Sequence, residues 1–194
     1  MDAVPGSAEA TLASRIERLE AELTALQGKA GQGQPQNSVA ILCFSGDWDR
    51  LFAAFTLANS ALAMGCEVHM FFTFWGASAI RNGRPLTPAG KSWIQRMLGR
   101  MLPRSAGGTP LSRMGFGGAS KMIFGRLMRQ NGVADLPTLV QQARELGAKF
   151  YCCDTSLRLF GWSNDDLIEG KDSQWCGATT FLGLALKSRV TLFI

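Results

Sequence analysis

Apolar and polar positions change rhythm several times along the chain, and each change predicts an element. Over residues 8–27 the apolar positions are Leu12, Ile16, Leu19, Leu23 and Leu26, with Arg15, Glu17, Arg18, Glu20 and Glu22 on the flanks. Alternating steps of four and three make a coiled-coil seam. A lone helix of this length is marginal in water unless it pairs. Residues 1–27 are therefore expected to be an oligomerisation helix, with packing onto its own domain as the alternative. Residues 28–37 (GKAGQGQPQN) carry no period and are rich in Gly and Gln, which predicts a flexible linker.

From residue 38 to 194 the pattern is that of a globular domain. Val39–Phe44 is a continuous apolar run, the mark of a strand buried on both faces. Ser45, Gly46 and Asp47 turn the chain, and Ser45 or Asp47 is placed to cap a helix. Helical spacing follows at Leu51, Phe52, Phe55, Leu57, Ala58 and Leu62, and Gly65 ends it. A second strand runs through Val68, Met70, Phe71 and Phe72. Strand, helix and strand in about 35 residues form a βαβ unit with a right-handed crossover.

An insertion at about residues 77–130 interrupts the alternation with Gly, Pro and Met. It holds two amphipathic patches, one through Trp93, Ile94, Met97, Leu98 and Met101, the other through Met122, Ile123, Leu127 and Met128. The regular pattern resumes with a helix over 136–146, capped by Asp135 with Pro137 in its first turn. Lys149–Cys152 reads as a third strand and residues 155–160 as a helical turn. Ile168–Glu169 reads as a short strand, 177–187 as a Gly-containing helix begun by Cys176, and 190–194 as a closing strand. Roughly five short parallel strands with intervening helices give an α/β, flavodoxin-like three-layer sandwich behind the coiled-coil helix.

Composition narrows the class. The 194 residues are 46% hydrophobic and 18% charged, a globular balance rather than a disordered one. The longest apolar runs are too short to span a bilayer, and the charged, helix-patterned first 30 residues do not resemble a signal peptide. The net charge of +5 hides an asymmetry. No acidic residue stands between Glu67 and Asp135, a stretch that carries half of the chain's 20 Lys and Arg. This basic island suits an acidic protein, an anionic substrate or an anionic membrane surface. Its interleaving with Met, Leu and Ile argues against nucleic acid. A solvated basic face is the plain alternative, and packing on the domain's own core is the alternative for the two stripes.

The candidate chemistry lies in the thiols. Five cysteines, two of them adjacent, do not make a disulfide framework, and a single His without a C-x-x-C pair makes a metal site improbable. The expectation is a cytoplasmic protein with free thiols, no metal and no cofactor. Ligands of open α/β sheets sit beyond the carboxyl ends of the strands. Three segments should meet there: Ser45, Gly46 and Asp47; Trp75 and Gly76; and Cys152 to Ser156, which includes Asp154 and Thr155. Cys153 stands where strand gives way to helix, so helix-terminal N–H groups can favour its thiolate. Strand alternation places Cys152 and Cys153 on opposite sides. Cys43, Cys66 and Cys152 suit packing, and Cys176 is a further candidate thiol. His69 falls inside a strand, away from the role of a base.

Several strings resemble the DsrE/DsrF/DsrH-like family: Phe44-Ser45-Gly46-Asp47, Met64-Gly65-Cys66-Glu67-Val68, Phe71-Phe72-Thr73-Phe74-Trp75-Gly76, and Phe150-Tyr151-Cys152-Cys153-Asp154-Thr155-Ser156-Leu157 with Gly161. The insertion segment Met114-Gly115-Phe116-Gly117 and the end Leu192-Phe193-Ile194 are similar as well, so the resemblance covers residues 38–194. It is to the DsrE-like branch often labelled peroxiredoxin-family protein. The resemblance implies a sulfur-trafficking protein that takes up sulfane sulfur on Cys153 and passes it to or from TusA-like or rhodanese-like sulfur carriers. Carrier is the primary role implied, with sulfurtransferase activity through a cysteine persulfide as its enzymatic form. The resemblance also implies membrane association through the insertion, seen in some relatives, and a coiled-coil leader; the homo-oligomer expected here rests on that leader's seam. Cys152 and Cys176 stand where the branch has small residues, which leaves each open as a second thiol or a packing residue. Two other classes compete. One is an interaction scaffold built on the coiled coil and the basic island. The other is an anion- or nucleotide-binding domain using Ser45, Gly46 and Asp47, weakened by the lack of a Gly-rich fingerprint after the first strand.

Overall fold

The computed structural model describes residues 14–22, 24, 36–85, 90–111, 119–170 and 173–194. The chain divides into two units, Met1–Pro35 and Gln36–Ile194. In the first, residues 14–22 and 24 are helical and exposed, with an Arg18–Glu22 ion pair at 3.4 Å across one turn. Ile16 and Leu19 of the expected seam are exposed; Leu12, Leu23, Leu26 and the linker residues 28–35 lie outside the described residues. Gln36 and Asn37, read as linker from composition, belong instead to the first strand.

The second unit runs β1 (Gln36–Cys43), α1 (Trp48–Ala63), β2 (Glu67–Phe72), a 3-10 turn (Phe74–Ile80), α2 (Trp93–Met101), α3 (Ala119–Gln130), α4 (Leu136–Glu145), β3 (Lys149–Cys153), α5 (Asp154–Phe160), β4 (Gln174–Cys176), α6 (Ala178–Ala185) and β5 (Ser188–Phe193). The five strands are all parallel, in the order β4-β3-β2-β1-β5. With helices on both sides this is the α/β, flavodoxin-like class. β1 lies second from the edge, as in flavodoxin order, but its edge neighbour is the last strand rather than the second.

Handedness explains the layers. From β1 to β4 each strand is added on the same side of its predecessor, so right-handed crossovers put α1 and α4 together on one face. The step from β4 to β5 goes back across the sheet, and the same rule puts α6 on the other face. The burial agrees. Ile41, Cys43, Phe72, Phe150 and Cys152 share one cluster with α1 and α4, while Ala40, Phe71, Tyr151, Cys153 and Cys176 gather around Phe181 of α6. On the larger side α1 contributes Leu51, Ala54, Phe55, Ala58 and Ala61 at helical spacing. Phe55, Phe72 and Phe150 form an aromatic trio with ring centroids 5.3–5.9 Å apart.

Two local readings are corrected. Ile168–Glu169 is not a strand: Leu167 makes an isolated antiparallel bridge to Arg81, and the Ile168 N–H donates to the Ile80 carbonyl. The fourth strand is Gln174–Cys176, so Cys176 ends a strand rather than starting a helix, and Gly177 precedes α6. Arg81, counted with the basic island, is 2% exposed. Its guanidinium donates to the Pro103 and Arg84 carbonyls at 2.9 and 3.4 Å and lies 4.8 Å from the Trp162 ring centroid. It fastens the start of the insertion to the domain.

The apolar sides of the two insertion helices are not absorbed by the core. Trp93 and Met101 of α2 are 72% and 75% exposed, Met122 of α3 is 74% exposed, and Ile94, Met97, Ile123, Phe124 and Leu127 are exposed as well. Leu102 and Met128 are buried. No helix among the described residues is long and apolar enough to cross a membrane.

Candidate functional site

The carboxyl edge of the sheet is built from three short row-ends. Phe72 pairs with Cys152, so Thr73 follows β2 directly beside Cys153, and Cys153 in turn pairs with Cys176 of β4. In-register side chains of parallel neighbours lie on one face. Thr73, Cys153 and Cys176 therefore form a row at the strand tips on the α6 side. Cys152 points the opposite way into the larger core.

These four positions differ in chemistry because their surroundings differ. Cys152 is 2% exposed, and burial above all pushes its thiol up to about 12. Cys43 is likewise pushed to about 12 by burial. Cys153 is half-buried at the start of α5. Burial acts to raise its pKa, but hydrogen bonds from the Ser156 hydroxyl and N–H, the Thr73 hydroxyl and the Thr155 N–H together outweigh it. The net result is a lowered value. The ionised sulfur is the acceptor that these donors suit. Cys176 is raised to about 11, first by burial and then by the negative charges of Cys153 and Asp154.

Ser156 is the hub of this arrangement. It is buried, its Oγ accepts the Phe74 N–H at 2.9 Å, and it lies 3.1 Å from the Thr73 Oγ1. Each hydroxyl has a single proton. Either both protons go to the sulfur, or one hydroxyl donates to the other, which donates to the sulfur; every pattern leaves the thiolate at least one hydroxyl donor. Phe74 adopts φ 43°, a left-handed conformation rare for a bulky residue. Its N–H bond to Ser156 and its edge-on contact with Phe44 (5.7 Å) hold it there. Phe44 also stacks on Phe193 at 6.0 Å, so aromatic rings border the site from β2 to β5.

The other residues singled out from sequence do meet, but around a separate cleft. Ser45, Gly46, Asp47 and Trp75 line a cavity of about 320 Å³ with Arg50 and Leu102, and Cys153 is not among its lining residues. The Ser45 Oγ accepts the Asp47 N–H at 3.1 Å, and Asp47 pairs with Arg50 at 3.6 Å. Gly46 and Gly76 permit a close approach of loops. A Cβ on Gly46 would sit 2.8 Å from the Trp75 carbonyl, and one on Gly76 would collide with the Cys43 carbonyl. Asp154 pairs with Arg158 at 3.6 Å and accepts the Thr155 hydroxyl at 3.2 Å. A larger cleft of about 390 Å³ between Trp48, Phe124, Met128 and Pro137 holds no thiol.

His69 is paired with Lys149, the first residue of β3, which is roughly 13 Å along the strand from Cys153. It is buried, near Tyr151 Oη (3.4 Å), and desolvation lowers its pKa. It is placed to serve no reaction at Cys153. Thr73, by contrast, went unmarked in the sequence reading. The available signal was its position, one residue beyond a buried strand and level with Cys153.

Fold and site together define a class: an α/β domain with a half-buried thiol at the carboxyl edge of its sheet, beside hydroxyl and backbone donors. Residues 35–193 match the profile of the DsrE/DsrF/DrsH-like family, and the chain belongs to that family. It is 36% identical over 154 residues to the uncharacterized protein YrkE of Bacillus subtilis, covering 79% of this chain and 94% of that protein. It is 28% identical over 163 residues to the sulfur carrier protein DsrE2 of Allochromatium vinosum, covering 82% of this chain and 99% of that one.

Proposed function

We propose that the protein is a sulfur-trafficking protein that accepts sulfane sulfur on Cys153 as a persulfide, or as a thiosulfonate by exchange with a polythionate from which thiosulfate leaves, and hands it to or from small sulfur carriers of the TusA or rhodanese type. The placement of Cys153 at the strand tip, in register with Thr73 and Cys176 and beside Ser156, carries this reading, and the donors there favour its thiolate. Family membership and the sulfur carrier relative support it. In the loading step the Cys153 thiolate attacks the outer sulfur of a donor persulfide. A Cys153 S–S bond forms, the donor S–S bond breaks, and the donor thiolate leaves. Unloading is the same exchange with an acceptor thiolate as attacker. The hydroxyl and backbone donors around Cys153 favour the thiolate form that makes the attack.

Delivery needs a docked partner. The rim of Phe44, Phe74 and Phe193 offers an apolar border along the carboxyl edge of the sheet. The exposed apolar sides of α2 and α3, flanked by Arg96, Arg100, Arg126 and Arg129, suit peripheral contact of a cytoplasmic protein with an anionic membrane surface. The N-terminal helix is the element proposed to join copies into a homo-oligomer.

Intact-mass spectrometry after exposure to polysulfide, thiosulfate or a persulfidated carrier tests the reading. The wild type should gain a reducible adduct of one sulfur, about 32 Da, and Cys153→Ala should not. Absence of any adduct, or an adduct indifferent to the substitution, would leave the thiols as packing residues and the protein as an interaction scaffold.

A further inference from the structure

Cys153 and Cys176 are more than two thiols in one chain. They are register partners in adjacent parallel strands and share the α6-side cluster, so their side chains leave the sheet on the same face. Neighbouring strands lie about 4.8 Å apart, inside the roughly 4.4–6.8 Å Cα separation that a disulfide spans. The strand that carries Cys176 is an edge strand of three residues, and Gly177 follows it with no neighbour within 4 Å of an added Cβ. An edge strand has only one neighbouring strand to move against. Both thiols are free and neither is fully buried.

We propose that Cys176 is the resolving thiol of Cys153. When Cys153 carries a persulfide, the Cys176 sulfur attacks the inner sulfur, closing a Cys153–Cys176 disulfide and expelling the outer sulfur as hydrogen sulfide. The proposal rests on the persulfide reading of Cys153. Atoms and electrons balance without an outside oxidant. The Cys153 persulfide and the Cys176 thiol give the disulfide and hydrogen sulfide; the Cys176 sulfur is oxidised, the outer sulfur takes the electron pair, and the Cys176 proton leaves with it. A dithiol reductant such as dithiothreitol restores both thiols.

Placement decides which sulfur is attacked. Cys176 is the register partner of Cys153 on the same face, so its sulfur lies beside the inner sulfur, the one bonded to the Cys153 Cβ. Kinetics separate the two fates. The Cys176 thiol, held up to about 11, is mostly protonated near neutral pH, so its attack is slow and a docked acceptor takes the sulfur first. Without an acceptor, the persulfide discharges itself. The pair thus limits how long an undelivered persulfide survives.

The test loads wild type, Cys176→Ser and Cys152→Ser with polysulfide, removes the donor, and follows intact mass and released sulfide without added thiol. Wild type and Cys152→Ser should move from about 32 Da above the reduced mass to about 2 Da below it, with one sulfide released per chain. Peptide mapping should find Cys153 joined to Cys176, and release should quicken as pH rises. Cys176→Ser should keep its sulfur at least tenfold longer. Loading followed by equal sulfide release in wild type and Cys176→Ser overturns this proposal and leaves the carrier reading intact. Failure of all three proteins to load overturns both.

Discussion

Cys152 and Cys153 are neighbours in sequence and opposites in chemistry. One is sealed in the core with its thiol pushed up to about 12; the other sits at the strand tip with its thiol brought below the ordinary value. The period-two geometry of a strand is the cause, because it sends adjacent side chains to opposite faces. One face here is packed by α1 and α4, and the other is open at its edge to Thr73 and Ser156.

Alkylation should respect that division. Iodoacetamide should modify Cys153 first, and the pH profile of its rate should have a midpoint below the ordinary thiol value of 9.0, since the folded environment favours the thiolate. Ser156→Ala removes the hydroxyl donor and shifts the midpoint upward. A hydrogen bond to a charged group is worth roughly 1.5 kcal/mol, so the rate near neutral pH should fall by about tenfold. A midpoint unchanged by Ser156→Ala would detach the hydroxyl from the thiolate.

The neighbouring thiol should answer to Cys153. Burial is the largest reason that Cys176 is raised to about 11, and the Cys153 charge adds to it. In Cys153→Ser no thiolate stands beside Cys176, so its alkylation midpoint should move down from that value while staying above 9.0. An upward shift, or none, contradicts the pairing of the two sulfurs in one electrostatic environment.

The sequence showed the long elements well and the short ones poorly. β1, α1 and β2 carry enough residues for a period or an unbroken apolar run to declare itself. The thiol at the end of β3 was visible because a strand pattern there gives way to helical spacing. β4 has three residues, Gln174–Cys176, too few for any alternation to emerge, and Cys176 was therefore read as part of the next helix. That error concealed its register with Cys153. Arg81 was misread for a different reason. Composition assigns an Arg among many Arg residues to the surface, and only tertiary structure supplies the carbonyls and the Trp162 ring that bury it. Thr73 depends on register alone.

Loop contacts behind the site make a stability prediction. Gly76 passes against the Cys43 carbonyl and the Phe44 backbone, and its N–H donates to the Phe44 carbonyl at 3.0 Å. Gly76→Ala forces these two loops apart and should cost about 1–3 kcal/mol in urea unfolding, the usual range for overpacking. Gly177→Ala meets nothing within 4 Å and should change stability by under about 0.5 kcal/mol. Equal effects at the two positions would contradict the close approach at Gly76.

The insertion should bind anionic bilayers in a way that depends on both its charge and its apolar faces. Trp93, Met97 and Met101 rise on α2 alongside Arg96 and Arg100, and no carboxylate lies in the chain between Glu67 and Asp135 to offset them. Basic residues near such a surface contribute about 1 kcal/mol each. Arg96→Glu with Arg100→Glu should therefore weaken sedimentation with phosphatidylserine-containing vesicles at least tenfold. Added salt should weaken the wild type in the same direction, because screening acts on the same charges. Trp93→Ser should weaken binding with little change in salt dependence, since it removes apolar contact and leaves the charge. Both α2 variants alter exposed side chains far from Cys153 in sequence, so sulfur loading serves as the check that the fold is intact. Vesicle binding that survives the charge reversal would remove the membrane role and leave these helices as a protein-binding surface.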